Sequence, residues 1–333
     1  MFLGHAMLAF ALAVLFAEWR GWRPRRALAL GAVAGAFAAL PDVDVVYAVA
    51  AIDGGRFLGG GAVNPEAFWD AANTVHRSMT HSLVVAVVAA PAFGLWSSAV
   101  RRSDRRRRLA YAGALSGVAG LVAVAVAVSG PLGGVVMGAF GLVGLAIATL
   151  TARRTDLSLR AVTAAAAVGL FTHPWGDLVT GSPPQLLYPF EVGLVDARVV
   201  LHPDPTIHLL GAFALELAVV WLAVLAVVRV TDRSVRLFSD RSAALGATYG
   251  AAALVLVPPT LDVSYHFVFS ILAVGSVCGA LSWYRSASPV RPALRQDVVV
   301  SERLRPNFGV VAIALAGTTV ALVGYVFVYV ALA

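Results

Sequence analysis

Lysine is absent from this 333-residue chain: all 25 basic residues are arginine, a bias of a GC-rich genome rather than a chemical signal. Charge of either sign is scarce, at 13% of residues against 59% hydrophobic, and the mean hydropathy is +0.83. Soluble globular domains carry roughly 25% charged residues, so this composition excludes that class. Cysteine occurs once, as Cys278 inside an apolar run. A disulfide framework is therefore excluded, and the residue reads as a small packing side chain. No basic residue precedes the first apolar stretch of "MFLGHAMLAFALAVLFAEWRGWRPRR", while four arginines follow it. That order reverses the charge pattern of a cleavable signal peptide and predicts a retained first helix with its N-terminus outside. No internal repeat is visible.

What the chain has in abundance is apolar runs near the length of a membrane span. They fall at 2–19, 27–52, 81–100, 109–129, 131–151, 161–181, 207–228, 243–259, 265–284 and 307–332. The expected fold is all-α, a polytopic transmembrane helical bundle of about ten spans. Alternate connections hold 22 of the 25 arginines, including "RRSDRRRR" at 101–108, and leave Arg56, Arg77 and Arg198 on the other side. The positive-inside rule then puts both the N- and the C-terminus outside the cytoplasm. It also accounts for the net charge of +7: the arginine runs are topology anchors on an anionic leaflet, and no nucleic acid is expected as partner. Pro41 predicts a break in the second span. The stretch from Asn64 to Met79 has the capping and spacing of an amphipathic helix on the outer surface. The long, proline-rich loop 182–206 is of the kind that covers something. Two regions follow: residues 1–228 form a membrane-embedded core, and 229–333 are appended C-terminal helices with little intramembrane chemistry.

Ionisable residues are costly in hydrocarbon, so those that persist there are functional candidates. On this topology His5, Asp42, Asp44, His76, His81, His173 and Asp177 all lie toward the outer face. Asp42, His173 and His5 each sit roughly 20 Å above the cytoplasmic end of their helix, at 1.5 Å per residue. His173 and Asp177, at i and i+4 in "LFTHPWGDLVTG", share a helix face. Imidazoles with carboxylates form the ligand set of zinc, manganese or iron, and seven candidates suit two metals bridged by a carboxylate. The bland alternatives are a helix cap for Asp42 and an interhelical hydrogen-bonded pair for His173 with Asp177. His266 reads as a polar tip at headgroup level, and His202 and His208 as loop residues within reach of a substrate.

In order and spacing, "GH" at 4–5, "LPDVD" at 40–44, "HRSMTHS" at 76–82, "HPWGDLVTG" at 173–181 and "LLYPF" at 186–190 resemble the YdjM-like family of inner-membrane, metal-dependent hydrolases. The resemblance covers roughly residues 1–190 and implies an inner-membrane location and hydrolysis, with no substrate attached. Two positions depart from it: Ser78 stands where glycine is expected, and Pro174 directly follows His173, which predicts a new helical segment starting there. The order of His and Asp is also distantly similar to zinc-dependent phospholipase C and related nucleases.

The expected function is a membrane-bound metal-dependent hydrolase working at the outer leaflet on a phosphoester or other ester of a lipid or lipid-linked substrate. A divalent metal, zinc, manganese or iron, activates water; Asp44 or Asp177 takes the proton; Arg77 orients an anionic group or braces a ligand carboxylate. The alternatives are a transporter or ion-conducting protein, for which broken helices with carboxylates also serve, and a scaffold with a structural metal.

Overall fold

The computed structural model describes residues 2–45, 77–232, 241–287 and 305–332. Every regular element among them is helical, in line with the apolar runs. The helices are α1 (Phe2–Trp19), α2 (Pro24–Ala38), α3 (Leu83–Arg101), α4 (Arg106–Arg154), α5 (Leu159–Thr180), α6 (Pro205–Thr231), the single turn α7 (Ala252–Val255), α8 (Tyr265–Ala287) and α9 (Arg305–Leu332). Six segments are long and apolar enough to cross a membrane: Pro24–Val45, Leu83–Arg101, Arg106–Arg154, Pro205–Thr231, Tyr265–Arg285 and Phe308–Leu332. Leu3–Trp19 is a shorter apolar helix. Helix α5 is not among the six, although it has 22 residues. Its last two turns carry His173, Pro174, Trp175, Gly176 and Asp177, and those residues lower its apolar character.

At 49 residues, α4 would be about 74 Å long if straight, more than twice a ~30 Å hydrocarbon core. It is not straight. Gly130 sits at φ 72°, ψ −172°, followed by Pro131. Glycine tolerates this left-handed φ and proline suits the first position of the next helix. A Cβ placed on Gly141 would lie 2.5 Å from Val118 Cγ1, and one on Gly133 would lie 2.8 Å from the Ala125 carbonyl. Pairs 23 and 8 residues apart meet only if the two arms run antiparallel, so α4 is a helical hairpin whose arms correspond to the expected spans 109–129 and 131–151.

Two compact units divide the chain: Met1–Val199 with Leu225–Thr231, and Val200–Val224 with Asp232–Ala333. In the first, α1 packs on α2 and α5, α2 on α5, and α3 on both α4 and α5. Helix α2 stops at Ala38, three residues before Pro41, and residues Pro41–Val45 form a 3-10 turn. That is the break expected at Pro41. The restart expected at Pro174 does not occur: α5 runs unbroken through Pro174 to Thr180. Proline removes one backbone donor, but the rest of the ladder keeps His173 and Asp177 on one face. Of the expected surface helix ending at Met79, residues 64–76 lie outside the described residues. Met79 itself is buried, in the 3-10 turn Met79–His81.

The second unit has a core of Leu209, Phe213, Tyr249, Phe267, Ile271 and Tyr325. The run expected as a span at 243–259 is mostly a 3-10 helix, Arg241–Ala251, before the single turn of α7. Its Gly250 lies close against the α9 backbone: a Cβ there would meet the Gly324 carbonyl at 2.9 Å.

Candidate metal centre

The end of α2 makes the first contact of the centre. The last carbonyls of a helix have no intrahelical donor, and that of Ala38 takes His173 Nδ1 at 2.6 Å. A carbonyl only accepts, so Nδ1 carries the imidazole proton and Nε2 presents a lone pair. His173 is fully buried.

His81 is oriented by a relay one residue long. The Thr80 hydroxyl donates its single proton to Asp44 Oδ2 at 2.8 Å. Thr80 Oγ1 then accepts from His81 Nδ1 at 2.9 Å. In that tautomer His81 Nε2 presents its lone pair toward His173 Nε2, 2.9 Å away. Two lone pairs at that distance repel each other unless a cation or a proton stands between them.

Carboxylates surround the same two atoms. Asp177 Oδ2 lies 3.2 Å from His81 Nε2 and 3.6 Å from His173 Nε2, yet it has no hydrogen-bond partner among the described residues. Asp42 Oδ1 is 3.5 Å from His173 Nε2 and 3.9 Å from His81 Nε2. Tetrahedral zinc with bonds near 2.0–2.1 Å sets its donors about 3.3–3.4 Å apart, and these separations bracket that value. The other oxygen of Asp177, Oδ1, faces His5 Nε2 at 3.4 Å and Arg77 Nη2 at 3.3 Å. Two overlapping groups are thus positioned to hold a metal, His5–His173–Asp177 and Asp42–His81–His173, with His173 in both.

Charge points the same way. Among the described residues, with the imidazoles of His5, His81 and His173 neutral, Asp42, Asp44 and Asp177 against Arg77 leave two negative charges where Asp44, Asp177, His81 and His173 are all buried. Buried net charge is strongly unfavourable without a counter-ion, and a divalent cation cancels this one. The residues present fit such an ion.

The profile of the YdjM inner membrane protein family matches residues 1–257. The chain belongs to that family. The match reaches past the five motifs, through α6 and α7, so the YdjM region is longer than the roughly 190 residues those motifs span. Comparison with curated proteins and with solved structures gives no match.

Within this YdjM chain, His5, Asp42, Asp44, His81, His173, Asp177 and Arg77 come together, and His76 lies outside the described residues. Asp44 stands on the Nδ1 side of His81, 3.5 Å away, behind the ring rather than among the facing lone pairs. His202 and His208 are occupied elsewhere: Nδ1 of each accepts a backbone N–H, from Asp204 at 3.0 Å and from Leu201 at 3.1 Å respectively. Arg77 adopts φ 74°. A non-glycine residue held there costs about 1–3 kcal/mol and persists only where its surroundings fix it. They do so on all sides. Its N–H donates to Asp44 Oδ2 at 3.3 Å, its carbonyl accepts from Gln185 N at 2.9 Å, and Nη1 donates to the Ser182 carbonyl at 3.2 Å.

The loop after α5 braces this segment from the far side. Ser82 caps α3 by accepting from Val84 N at 3.1 Å, and its own hydroxyl donates to the Tyr188 carbonyl at 2.7 Å. Leu83 N donates to the Leu186 carbonyl at 2.9 Å. That is how "LLYPF" and the described part of the earlier motif, Arg77–Ser82, form one structure although Ser82 and Leu186 are 104 residues apart. Thr80 is the site residue that ligand spacing passes over; its signals in sequence are its place in "HRSMTHS" and a hydroxyl adjoining a candidate ligand. Outer partners of this kind change metal affinity by 10–100-fold. Thr80→Val, which keeps the shape and loses the hydroxyl, should weaken metal binding in a chelator competition by roughly that factor, and Thr80→Ser should restore it. Equal affinity in Thr80→Val and the parent would remove the relay.

Proposed function

We propose that this protein is a membrane-embedded, metal-dependent hydrolase that cleaves an ester or phosphoester of a lipid or lipid-linked substrate at the outer leaflet. The observation that carries the reading is the pair of facing Nε2 lone pairs, flanked by Asp177 Oδ2 and Asp42 Oδ1 at 3.2–3.9 Å. A divalent cation, zinc by ligand type and manganese or iron next, would polarise the scissile oxygen and lower the pKa of water there. The chain's residues have distinct parts. His5, Asp42, His81, His173 and Asp177 hold the ion; Asp44, through Thr80, keeps His81 in the ligating tautomer. Asp177 Oδ1, turned away from the two Nε2 atoms, is the carboxylate oxygen suited to accept a proton. Arg77 braces Asp177, and its guanidinium is the group suited to orient an anionic part of the substrate.

A lipid is favoured by a groove of about 510 Å³ that has Asp42 in its wall. The rest of the lining is apolar, including Ala39, Leu40, Val43, Val143 and Ile147. The deciding experiment is elemental analysis of the purified full-length protein, followed by turnover of phosphoester and carboxylester lipids before and after metal removal. Absence of a transition metal, with no thermal shift on adding zinc or manganese, would overturn the reading. Bound metal without turnover of any ester would mark a structural ion instead.

The accompanying topology is ten spans with both termini outside. Single cysteines at Arg105 and Val192, in a Cys278→Ser background, test it with a membrane-impermeant thiol reagent on intact cells. Val192→Cys should label and Arg105→Cys should not. The reverse pattern would turn the metal centre toward the cytoplasm.

A further inference from the structure

A second groove, of about 830 Å³, lies among α1, α2 and α5 of the first unit, with none of the metal-centre residues in its lining. Its length is apolar, walled by Leu12 and Phe16 of α1, Leu30 of α2, and Val168 and Phe171 of α5. Among the described residues its only charged lining groups are Arg20 and Arg160, which share one end with Trp22 and Ser158. That placement follows from the chain's course. Arg20 directly follows the last residue of α1, Trp22 lies in the turn to α2, and Arg160 is the second residue of α5.

Both arginines are exposed, and neither is paired with a carboxylate among the described residues; the Arg20 guanidinium stands 6.0 Å from the Trp19 ring centroid. From Arg160 to Thr172 along α5 the groove is about 18 Å long at 1.5 Å per residue. One leaflet's hydrocarbon is about 15 Å deep, half of ~30 Å. The groove therefore spans from headgroup level to about the bilayer midplane. Two uncompensated cations, an interfacial indole and the positive end of a 22-residue helix meet at the headgroup end.

We propose that this groove is a binding site for an anionic diacyl phospholipid, one acyl chain lying against Leu12, Phe16 and Phe171 and the phosphate held by Arg20 and Arg160. A zwitterionic lipid would bring a choline or ethanolamine cation toward the same two guanidinium groups, which is why the site selects net negative charge. Its arginine end lies about 20 Å along α5 from His173, at 1.5 Å per residue, so the phosphate held there is that of a bound lipid and not the substrate of the metal centre. On the arginine count it belongs to the cytoplasmic leaflet, where anionic lipid concentrates.

Titration of the purified full-length protein with phosphatidylglycerol or phosphatidylcholine, read by native mass spectrometry, tests this. The parent should prefer phosphatidylglycerol by on the order of tenfold, as expected of two basic side chains at a surface. Arg20→Gln with Arg160→Gln should abolish the preference and leave metal content unchanged. Arg153→Gln with Arg154→Gln, two exposed arginines absent from the groove lining, should keep it. Ala164→Trp, which fills the groove, should lose the bound lipid with both arginines in place. Equal binding of the two lipids by the parent overturns the proposal. So does a preference that survives Arg20→Gln with Arg160→Gln, or one lost equally in Arg153→Gln with Arg154→Gln, which would reveal unspecific surface charge.

Discussion

Asp177→Asn is expected to lower metal affinity by more than about a hundredfold, beyond the 10–100-fold that outer partners command, while the helical content of the protein stays as it was. The reason lies in what the two oxygens face. Oδ1 meets His5 and Arg77, and Oδ2 meets the Nε2 atoms of His81 and His173 without a hydrogen bond to either. An amide has nearly the same shape but no charge, and it adds two N–H donors. If the cluster were only interhelical glue, those donors would be welcome: the substituted amide could donate to the His81 lone pair and relieve the clash with His173. A metal-free pair thus predicts unchanged or raised thermal stability, whereas a metal centre predicts lost metal and lowered stability. His81→Ala, on a different segment, should share the loss of metal. Elemental analysis with circular dichroism during heating distinguishes these cases. Full metal occupancy in both variants, with Asp177→Asn melting no lower than the parent, would return the cluster to glue.

Gly169→Val should be as damaging although it touches no ligand. A Cβ at Gly169 would lie 2.5 Å from the Ala34 carbonyl oxygen, 2.6 Å from Ala38 N and 2.9 Å from Phe37 C. These are backbone atoms of α2, which cannot rotate away as a side chain does. Small residues let helices approach this closely in membranes, and overpacking such a contact costs about 1–3 kcal/mol or more. The approach also sets the 2.6 Å contact between Ala38 O and His173 Nδ1. Pushing α2 away by about an ångström exceeds the ~0.5 Å tolerance of a preorganised site, so metal content should fall together with the melting temperature. Gly120→Ala is the control, because nothing lies within 4 Å of a Cβ there. Parent-like metal content and melting in Gly169→Val would mean that α2 and α5 do not pack as described.

Much of this was legible in the sequence because the signals are local. Apolar length identifies membrane helices, since a span must satisfy its own backbone. Gly130–Pro131 divides one long run because glycine takes a left-handed turn and proline begins a helix. The polar layer could be read from depth, as helical rise converts residue number to height and i, i+4 puts His173 and Asp177 on one face. The sequence by itself therefore determined an all-helical membrane protein, the family it belongs to and the residue types that gather near one face.

Which atoms of those residues meet was decided only by tertiary structure. The Ala38 carbonyl is 135 residues from His173, and Asp44 reaches Thr80 across 36. No periodicity connects such positions; they meet because α2 and α5 pack at a glycine and because "LLYPF" holds the Arg77–Leu83 segment in place. That packing fixes which imidazole nitrogen carries the proton, sets Asp44 behind His81, and gives Asp177 two faces. Where the local rule failed, the cause was again non-local. Pro174 does not restart its helix, because a single missing donor is too small a loss to unseat a helix packed along its length against α1, α2 and α3.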